Sequence, residues 1–315
     1  MGGENAPGVE VEGGLAAVRE SGGAVEVVFV GREDVVEAEL SRHECAGLPV
    51  RVVHAEEAIE MGEAPAAAVR RKRGASIVVA MELQKRDEVD AVISAGNTGA
   101  VVASALLGLG MLQSVRRPAI ASFFPTVSEP VVVLDVGASI DSRPSDLVEF
   151  AAMGEVLAKC VLERQSPKVG LLNIGEEASK GSALTQEAHA LLEASPMNFV
   201  GNVEGKGLFR READVVVCDG FVGNVVLKLV EGMKDMLMSA LGSAGGAGSV
   251  LSQFDYAEYG GAPLLGVDGV VIIAHGSSSP KAIKNAVKVA ARFVDTDLDA
   301  HIADRVREAA AVNGG

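Results

Sequence analysis

Tryptophan is missing from the 315-residue sequence, and only two tyrosines and nine phenylalanines supply rings. So few aromatics leave no platform on which nucleic-acid bases could stack. Basic residues are the minority too: 28 Lys and Arg against 43 Asp and Glu give a net charge of −15. Such a surface repels a phosphate backbone at long range, which excludes nucleic acid as a partner. Any anionic ligand must then be held locally, by peptide N–H groups or a few placed cations. Cysteine is scarce: Cys45, Cys160 and Cys218 lie too far apart for a metal knuckle or a redox pair. Their odd number argues against a disulfide framework, so a reducing cytoplasm is the expected compartment, and neither metal nor cofactor is expected. Proline and glycine form no long linker, so residues 1–315 read as one α/β/α catalytic domain, with two lobes as the other arrangement. Residues 91–115 carry no charge. The glycines at 96 and 99 cut that run, leaving an apolar helix of about 14 residues against the ~20 that a bilayer needs. No basic, hydrophobic and small-residue opening suggests secretion.

What is present is a repeated corner. Residues 214–232 read DVVVCDGFVGNVVLKLVEG, and residues 90–102 read DAVISAGNTGAVV. In each, Asp precedes a mostly β-branched run, a Gly-x-x-Gly turn follows, and an apolar helix begins; Gly96 and Gly99 match Gly220 and Gly223. A short β-branched run reads as a strand covered on both faces. The glycines let the backbone turn tightly, and the helix start adds unpaired N–H groups at the positive end of its dipole. Each corner is thus a candidate anion site. Asn97 and Thr98 in one, and Asn224 in the other with Asp219 beside it, could add side-chain contacts. The bland alternative is two ordinary βα turns.

Other stretches repeat the design. Residues 25–30 and 50–54 predict strands, residues 56–73 a helix ending in Arg70-Arg71-Lys72-Arg73 that reads as a solvated end, with a docking patch for an acidic partner as the alternative. Residues 130–136 predict a buried strand ending in Asp135, a position that points into the ligand crevice of an open sheet or else caps a helix. Residues 168–181 give a strand, Gly175, and a polar loop holding Lys180, with a helix from about Ser182. A lysine there could act as a point charge for phosphate. Met233, Met236, Leu237, Ala240 and Leu241 trace one apolar helix face within a helical and Gly-rich excursion over 233–260, expected in core or subunit packing or else against acyl chains or a membrane surface. The last strand, 270–274, ends in His275-Gly276-Ser277-Ser278-Ser279-Pro280, so His275 stands beside a helix start. The other histidines lack that setting. Lys281, Lys284, Lys288 and Arg292 line one face of the next helix, a solvated face or a landing place for an acidic protein. Together these units predict an α/β fold, an open and largely parallel sheet with helices on both faces and one crevice along its carboxyl edge. Dinucleotide, P-loop and serine-hydrolase signatures are lacking.

ISAGNTGA, LDVGASID, NIGEEASKG, GNVEGKG, DVVVCDGFVGNVVLK, YAEYGGAPLLGV and AHGSSSPKAIKNA, in that order, resemble the bacterial phosphate acyltransferases of the PlsX family. The resemblance spans almost the whole chain. It implies transfer of a long acyl group from acyl carrier protein to inorganic phosphate, giving acyl phosphate for phospholipid synthesis. It further implies a fold related to phosphotransacetylases and isocitrate-type dehydrogenases, a homodimer, and a cytoplasmic enzyme loosely associated with the membrane. The phosphate chemistry needs chiefly alignment and oxyanion stabilisation. His275, Lys180 and Asn224 are the catalytic candidates; Gly96, Asn97, Thr98, Gly99, Asp135, Asp219, Gly220, Gly223, Gly276 and Ser277 are the phosphate or substrate candidates. Lys281, Lys284, Lys288 and Arg292 are the candidates for docking the carrier. Cys218, inside a strand, reads as packing rather than as an acyl-enzyme nucleophile. Family members open with a strand running into Asp-Ala-Met-Gly-Gly-Asp, where this chain has Met1-Gly2-Gly3-Glu4; without that strand, neighbouring backbone groups would lose partners. Competing readings are a phosphotransacetylase acting on short acyl-CoA, a non-catalytic module that binds acyl carrier protein, and a dehydrogenase.

Overall fold

The computed structural model describes residues 2–126, 128–241 and 260–313. Along the chain the elements are α1 (Gly8–Glu20), β1 (Val27–Gly31), α2 (Glu33–Leu40), β2 (Val50–His54), α3 (Pro65–Arg71), α4 (Ser76–Lys85), β3 (Ala91–Ser94) and α5 (Thr98–Gly108). Next come β4 (Ala119–Ile120), β5 (Ser122–Phe124), β6 (Val131–Leu134), α6 (Pro144–Leu162), β7 (Val169–Asn173), α7 (Ala183–Ala194), β8 (Phe199–Glu204), α8 (Gly205–Arg210), β9 (Val215–Val217) and α9 (Gly220–Leu241). The chain closes with β10 (Ala262–Leu265), β11 (Val270–Ile273), α10 (Pro280–Asp295) and α11 (Leu298–Asn313). The class is α/β, mostly parallel, with helices flanking the strands.

Two compact units share these elements. The first holds Met1–Met111 and Ala257–Thr296, the second Leu112–Tyr256 and Asp297–Gly315. In the first unit β1 pairs in parallel with β2, β3 in parallel with β11, and β11 antiparallel with β10. In the second, the order is β5-β6-β9-β7-β8, parallel except for β5. The two repeated corners therefore start from strands of different sheets, β3 and β9, instead of neighbouring strands of a single one. The runs VVVL of β6 and VVV of β9 are wholly buried, as expected of strands covered on both faces. Helix α6 packs against both of them, and α11 returns to pack on α6, where Arg305 grips Glu155 at 2.7 and 2.8 Å.

Most expected strands and helix starts appear where periodicity put them, including Ser182, whose side chain accepts from the Thr185 N–H. The helix expected over 56–73 does not. It forms only from Pro65, because proline disfavours helical backbone in the residue before it, and Ala64 is extended. Nor is the basic end at 70–73 simply solvated: Arg71 and Lys72 both bind Glu63, at 2.7 and 2.6 Å, and the Lys72 bond leads the interactions that hold the Glu63 carboxyl below its usual range. The apolar face read from Met233 and Met236 is also not core. Those two side chains are exposed, in a row with Phe221, Val225 and Leu229 of α9. The side chains of Ala240 and Leu241, the glycine-rich stretch 242–249 and Val250, Leu251 and Phe254 lie outside what is described.

Candidate functional site

In the first unit, β3 and β11 run in parallel with Ile273 opposite Ser94, so their carboxyl ends deliver two loops side by side. Ala274 N–H donates to the Ser94 carbonyl at 2.8 Å, which ties the His275 loop to the Gly96–Gly99 corner. Asn97 is the N-cap of α5: its Oδ1 accepts from Ala100 N–H at 3.0 Å. Its Nδ2 donates to the carbonyls of Glu60 and Met61 at 3.3 and 3.0 Å. Both ends of the amide are thus engaged in bracing the corner, which makes Asn97 a positioning residue rather than the phosphate donor expected of it. The first intrahelical bonds are donated by Ala100 and Val101 to the Asn97 carbonyl. Thr98 and Gly99 precede them, so their N–H groups open outward from the helix start, and the Thr98 side chain is exposed. Gly99 has to be glycine, since a methyl there would stand 2.6 Å from Pro65 Cγ.

His275 is exposed, and its Nδ1 accepts the Ser277 N–H at 3.2 Å with Ser277 Oγ at 2.7 Å. A peptide N–H donated to Nδ1 favours the neutral tautomer that carries its proton on Nε2. Gly276 carbonyl accepts from Glu4 N–H at 2.9 Å, and a methyl on Gly276 would stand 2.7 Å from Met61 Cε and 3.4 Å from Glu4 Oε1. The structure thus gathers Gly96, Asn97, Thr98, Gly99, His275, Gly276 and Ser277 in one unit. It adds Glu4, which the sequence set against the last acid of the Asp-Ala-Met-Gly-Gly-Asp motif, and the Glu60–Met61 backbone, which sequence reasoning did not place there because it contributes only carbonyls.

In the second unit, the parallel strands β6, β9 and β7 bring Asp135, the Asp219–Asn224 corner and the Lys180 loop to one sheet edge. Asp135 does not point into a crevice. It is fully buried, and its carboxylate accepts four peptide N–H bonds, from Ile120, Gly137, Ala138 and Ser139, at 2.6 to 3.0 Å. Burial pushes its pKa above the usual value, against the pull of those four donors. The Gly220–Gly223 corner departs further from expectation. Gly220 N–H donates to the Ser139 carbonyl, Phe221 and Val222 N–H both donate to Asp219 Oδ1 at 3.0 Å, and Gly223 N–H donates to the Asp219 carbonyl. Asp219 is itself the anion at this helix start, so the peptide donors expected to meet phosphate are already satisfied. What the corner presents outward is Asn224, exposed and lying beside Gly137. Lys180 is exposed too, with its stem against Gly175, and its ammonium pairs with no carboxylate among the described residues. Cys218 is buried with its thiol on the Asp135 carbonyl; burial, then the charges of Asp135 and Asp219, push its pKa up, which suits packing and not nucleophilic attack.

A family model described as fatty acid synthesis protein matches residues 1–301. The chain belongs to that family. Among curated relatives, the phosphate acyltransferase of Geobacter sp. (strain M21) is 49% identical, with 98% of this chain and 91% of that protein covered. The phosphate acyltransferase of Dictyoglomus turgidum (strain DSM 6724 / Z-1310) is 46% identical, with 96% and 94% covered. Like these relatives, the chain is an acyltransferase. Among solved structures, a phosphotransacetylase from Streptococcus pyogenes is similar at a TM-score of 0.60 and 18% identity, covering 91% of this chain and 93% of that one. EutD phosphotransacetylase from Staphylococcus aureus is similar at 0.58 and 15%, covering 93% and 96%. At such identities the likeness shows the shared α/β fold. Among the described residues, no helix is long and apolar enough to cross a membrane, and no cluster of His, Cys, Asp and Glu could hold a metal.

The basic face of α10 is not merely solvated. Lys284 and Lys288 both grip Glu20 of α1, at 2.7 and 2.6 Å. These bonds, Lys284 first, hold the Glu20 carboxyl at about 2 against an ordinary 4.5. Because the folded value is depressed, the stabilisation is present above pH 4.5 and is lost as pH falls toward about 2. Glu20→Gln is therefore expected to flatten that acid limb while leaving the neutral fold intact, as measured by urea unfolding across the range. An unchanged limb would show that the pairing contributes nothing.

Proposed function

We propose that this chain transfers a long-chain acyl group from acyl carrier protein to inorganic phosphate, forming the acyl phosphate used in phospholipid synthesis. The observation that carries it is the first-unit corner, with its outward Thr98 and Gly99 N–H groups beside His275, in a chain whose curated relatives bear the name phosphate acyltransferase. Phosphate is partly a dianion near neutral pH and is a fair nucleophile without a base. One of its oxygens attacks the thioester carbonyl, the new C–O bond forms, and the tetrahedral oxyanion collapses by breaking the C–S bond. In the first unit the α5 helix start holds phosphate, and the His275 Nε2–H stabilises the oxyanion or protonates the departing thiolate. Lys180 and Asn224 are the second unit's own candidates for phosphate.

Docking of the acidic carrier on Lys281, Lys284, Lys288 and Arg292 belongs to the same proposal, with the carrier's carboxylates competing against Glu20. So do the homodimer, the cytoplasmic site and the peripheral membrane contact with a glycerol-phosphate acyltransferase; the exposed row Phe221, Val225, Leu229, Met233 and Met236 supports an apolar partner for α9. The deciding experiment supplies phosphate with palmitoyl-acyl carrier protein or with acetyl-CoA and traps acyl phosphate with hydroxylamine. The expected result is phosphate-dependent thiol release from the carrier. Product from acetyl-CoA alone would make the protein a phosphotransacetylase, and carrier binding without thiol release would make it a binding module.

A further inference from the structure

Two buried polar side chains of the second unit, His189 and Asn202, stand apart from the acyl-transfer candidates, at 9% and 7% exposure. Strand β8 carries one residue more than β7 between two paired positions: Phe199 lies opposite Val169, and Asn202 opposite Leu171. Gly201 takes up the extra residue at a φ of +95°, a conformation that side chains resist. Such a bulge re-aims the residues that follow it. Regular alternation would put Asn202 on the opposite face from Phe199. Here both reach His189 of α7, the Phe199 ring edge-on at a centroid distance of 5.1 Å and the Asn202 amide at 3.0 Å.

The direction of that amide follows from its partners. Asn202 Nδ2 donates to the Glu177 carbonyl at 2.8 Å, and a carbonyl can only accept, so Oδ1 faces His189 and the bond between them needs a proton on Nδ1. The same Glu177 carbonyl accepts the Lys180 N–H at 3.0 Å. Both of its lone pairs are therefore filled, one by the Asn202 amide and the other by the peptide of Lys180. Gln186 of α7 donates to the carbonyls of Ser179 and Gly181 at 2.8 and 3.2 Å, and Asn173 of β7 donates to the Lys180 carbonyl at 3.1 Å. Amides from β7, α7 and β8 thus fix the backbone of a loop that has no strand or helix of its own. The Lys180 stem lies over Gly175, where no side chain stands in its way.

We propose that Asn202, oriented by His189, and Gln186 are positioning residues that hold the 177–181 turn so that the Lys180 ammonium meets phosphate. The inference rests on the reading of Lys180 as a phosphate contact. A lysine stem gives up rotamer freedom when its ammonium is held, and a backbone fixed in advance leaves only the stem to be ordered. The buried pair carries the larger share. Without the His189 donor, Asn202 Oδ1 is left unpaired away from water, and the amide is free to turn from Glu177.

Steady-state kinetics with phosphate as the varied substrate tests this. Lys180→Ala sets the scale: KM for phosphate is expected to rise about tenfold or more, the range for losing a hydrogen bond to a charged group. His189→Phe keeps a ring against Phe199 but removes the donor, so KM for phosphate is expected to rise about fivefold and kcat to move less than about twofold. His189→Asn, whose Nδ2 stands near the place of Nδ1, is expected to recover most of that rise. In the Lys180→Ala background His189→Phe should add nothing, because a residue acting through Lys180 has nothing left to place. Should His189→Phe not fold, Gln186→Ala on the exposed side of the loop carries the same test, with a rise of about threefold. Amide exchange at Lys180, which needs no activity, is expected to speed by about tenfold in whichever variant is used. A raised KM in Lys180→Ala with none in that variant overturns the proposal, as does an effect that adds in full to that of Lys180→Ala, or unchanged exchange at Lys180. Unchanged KM in Lys180→Ala removes the phosphate reading of Lys180 itself, and the proposal with it.

Discussion

Replacing His275 by alanine is expected to lower kcat for phosphate-dependent thiol release by about 10²- to 10³-fold, the range for losing one positioned proton donor or oxyanion contact. The fold should survive, because the ring is exposed and its described bonds are to Ser277 two residues on. KM for phosphate should change far less than kcat, since the imidazole is assigned to the carbonyl and the leaving thiol and not to the phosphate. Ser277→Ala is the companion variant. It removes the hydroxyl at 2.7 Å from Nδ1 but keeps the Ser277 N–H bond that sets the tautomer, so a loss of about tenfold or less is expected. Steady-state kinetics with a thiol reagent, alongside thermal unfolding, separates these outcomes. Unchanged kcat in His275→Ala would remove the ring from the chemistry.

The largest structural effect is expected at Gly223. A methyl there would overlap the carbonyl oxygen of Asp135 and crowd Cys218 Sγ. Neither neighbour can retreat. The Asp135 backbone runs on from the buried strand β6, its own N–H donates to Cys218 carbonyl, and its side chain holds four peptide N–H groups. Gly223→Ala should therefore cost about 3 kcal/mol, the upper end for forcing an added methyl into a close-packed site. Gly232→Ala, on the same helix, is the control. A methyl there meets nothing within 4 Å, and the substitution should stabilise by roughly 0.5–1 kcal/mol through helix propensity alone. Urea unfolding of the two variants should move in opposite directions; equal shifts would mean that α9 does not sit on the Asp135 carbonyl.

The sequence carried the strands and corners well, because a β-branched run followed by Gly-x-x-Gly is a local signal that packing had only to confirm: β3, β9 and β11 lie within the stretches read for them. It carried the accounting of donors poorly. That Asn97 spends its amide on Glu60 and Met61, thirty-odd residues upstream, depends on a loop whose course no periodicity encodes. That Asp219 satisfies the helix start it precedes was legible in principle, since Asp is a strong N-cap, yet the same aspartate also fits a ligand-binding reading. The glycine twins looked equivalent as letters. They differ because one is preceded by alanine and the other by an acid that fills the seat.

Assigning β10, β11 and α10 to the first unit has a consequence for biogenesis. Strand β3 emerges early from the ribosome, but its partner β11 ends at Ile273 and α10, which closes over it, at Asp295. Strand β3 must therefore wait, without its partner, until synthesis has passed Asp295. During that interval β3 is an exposed apolar edge, so yield in the cell should depend on translation speed and chaperone supply more than the stability of the finished protein would suggest.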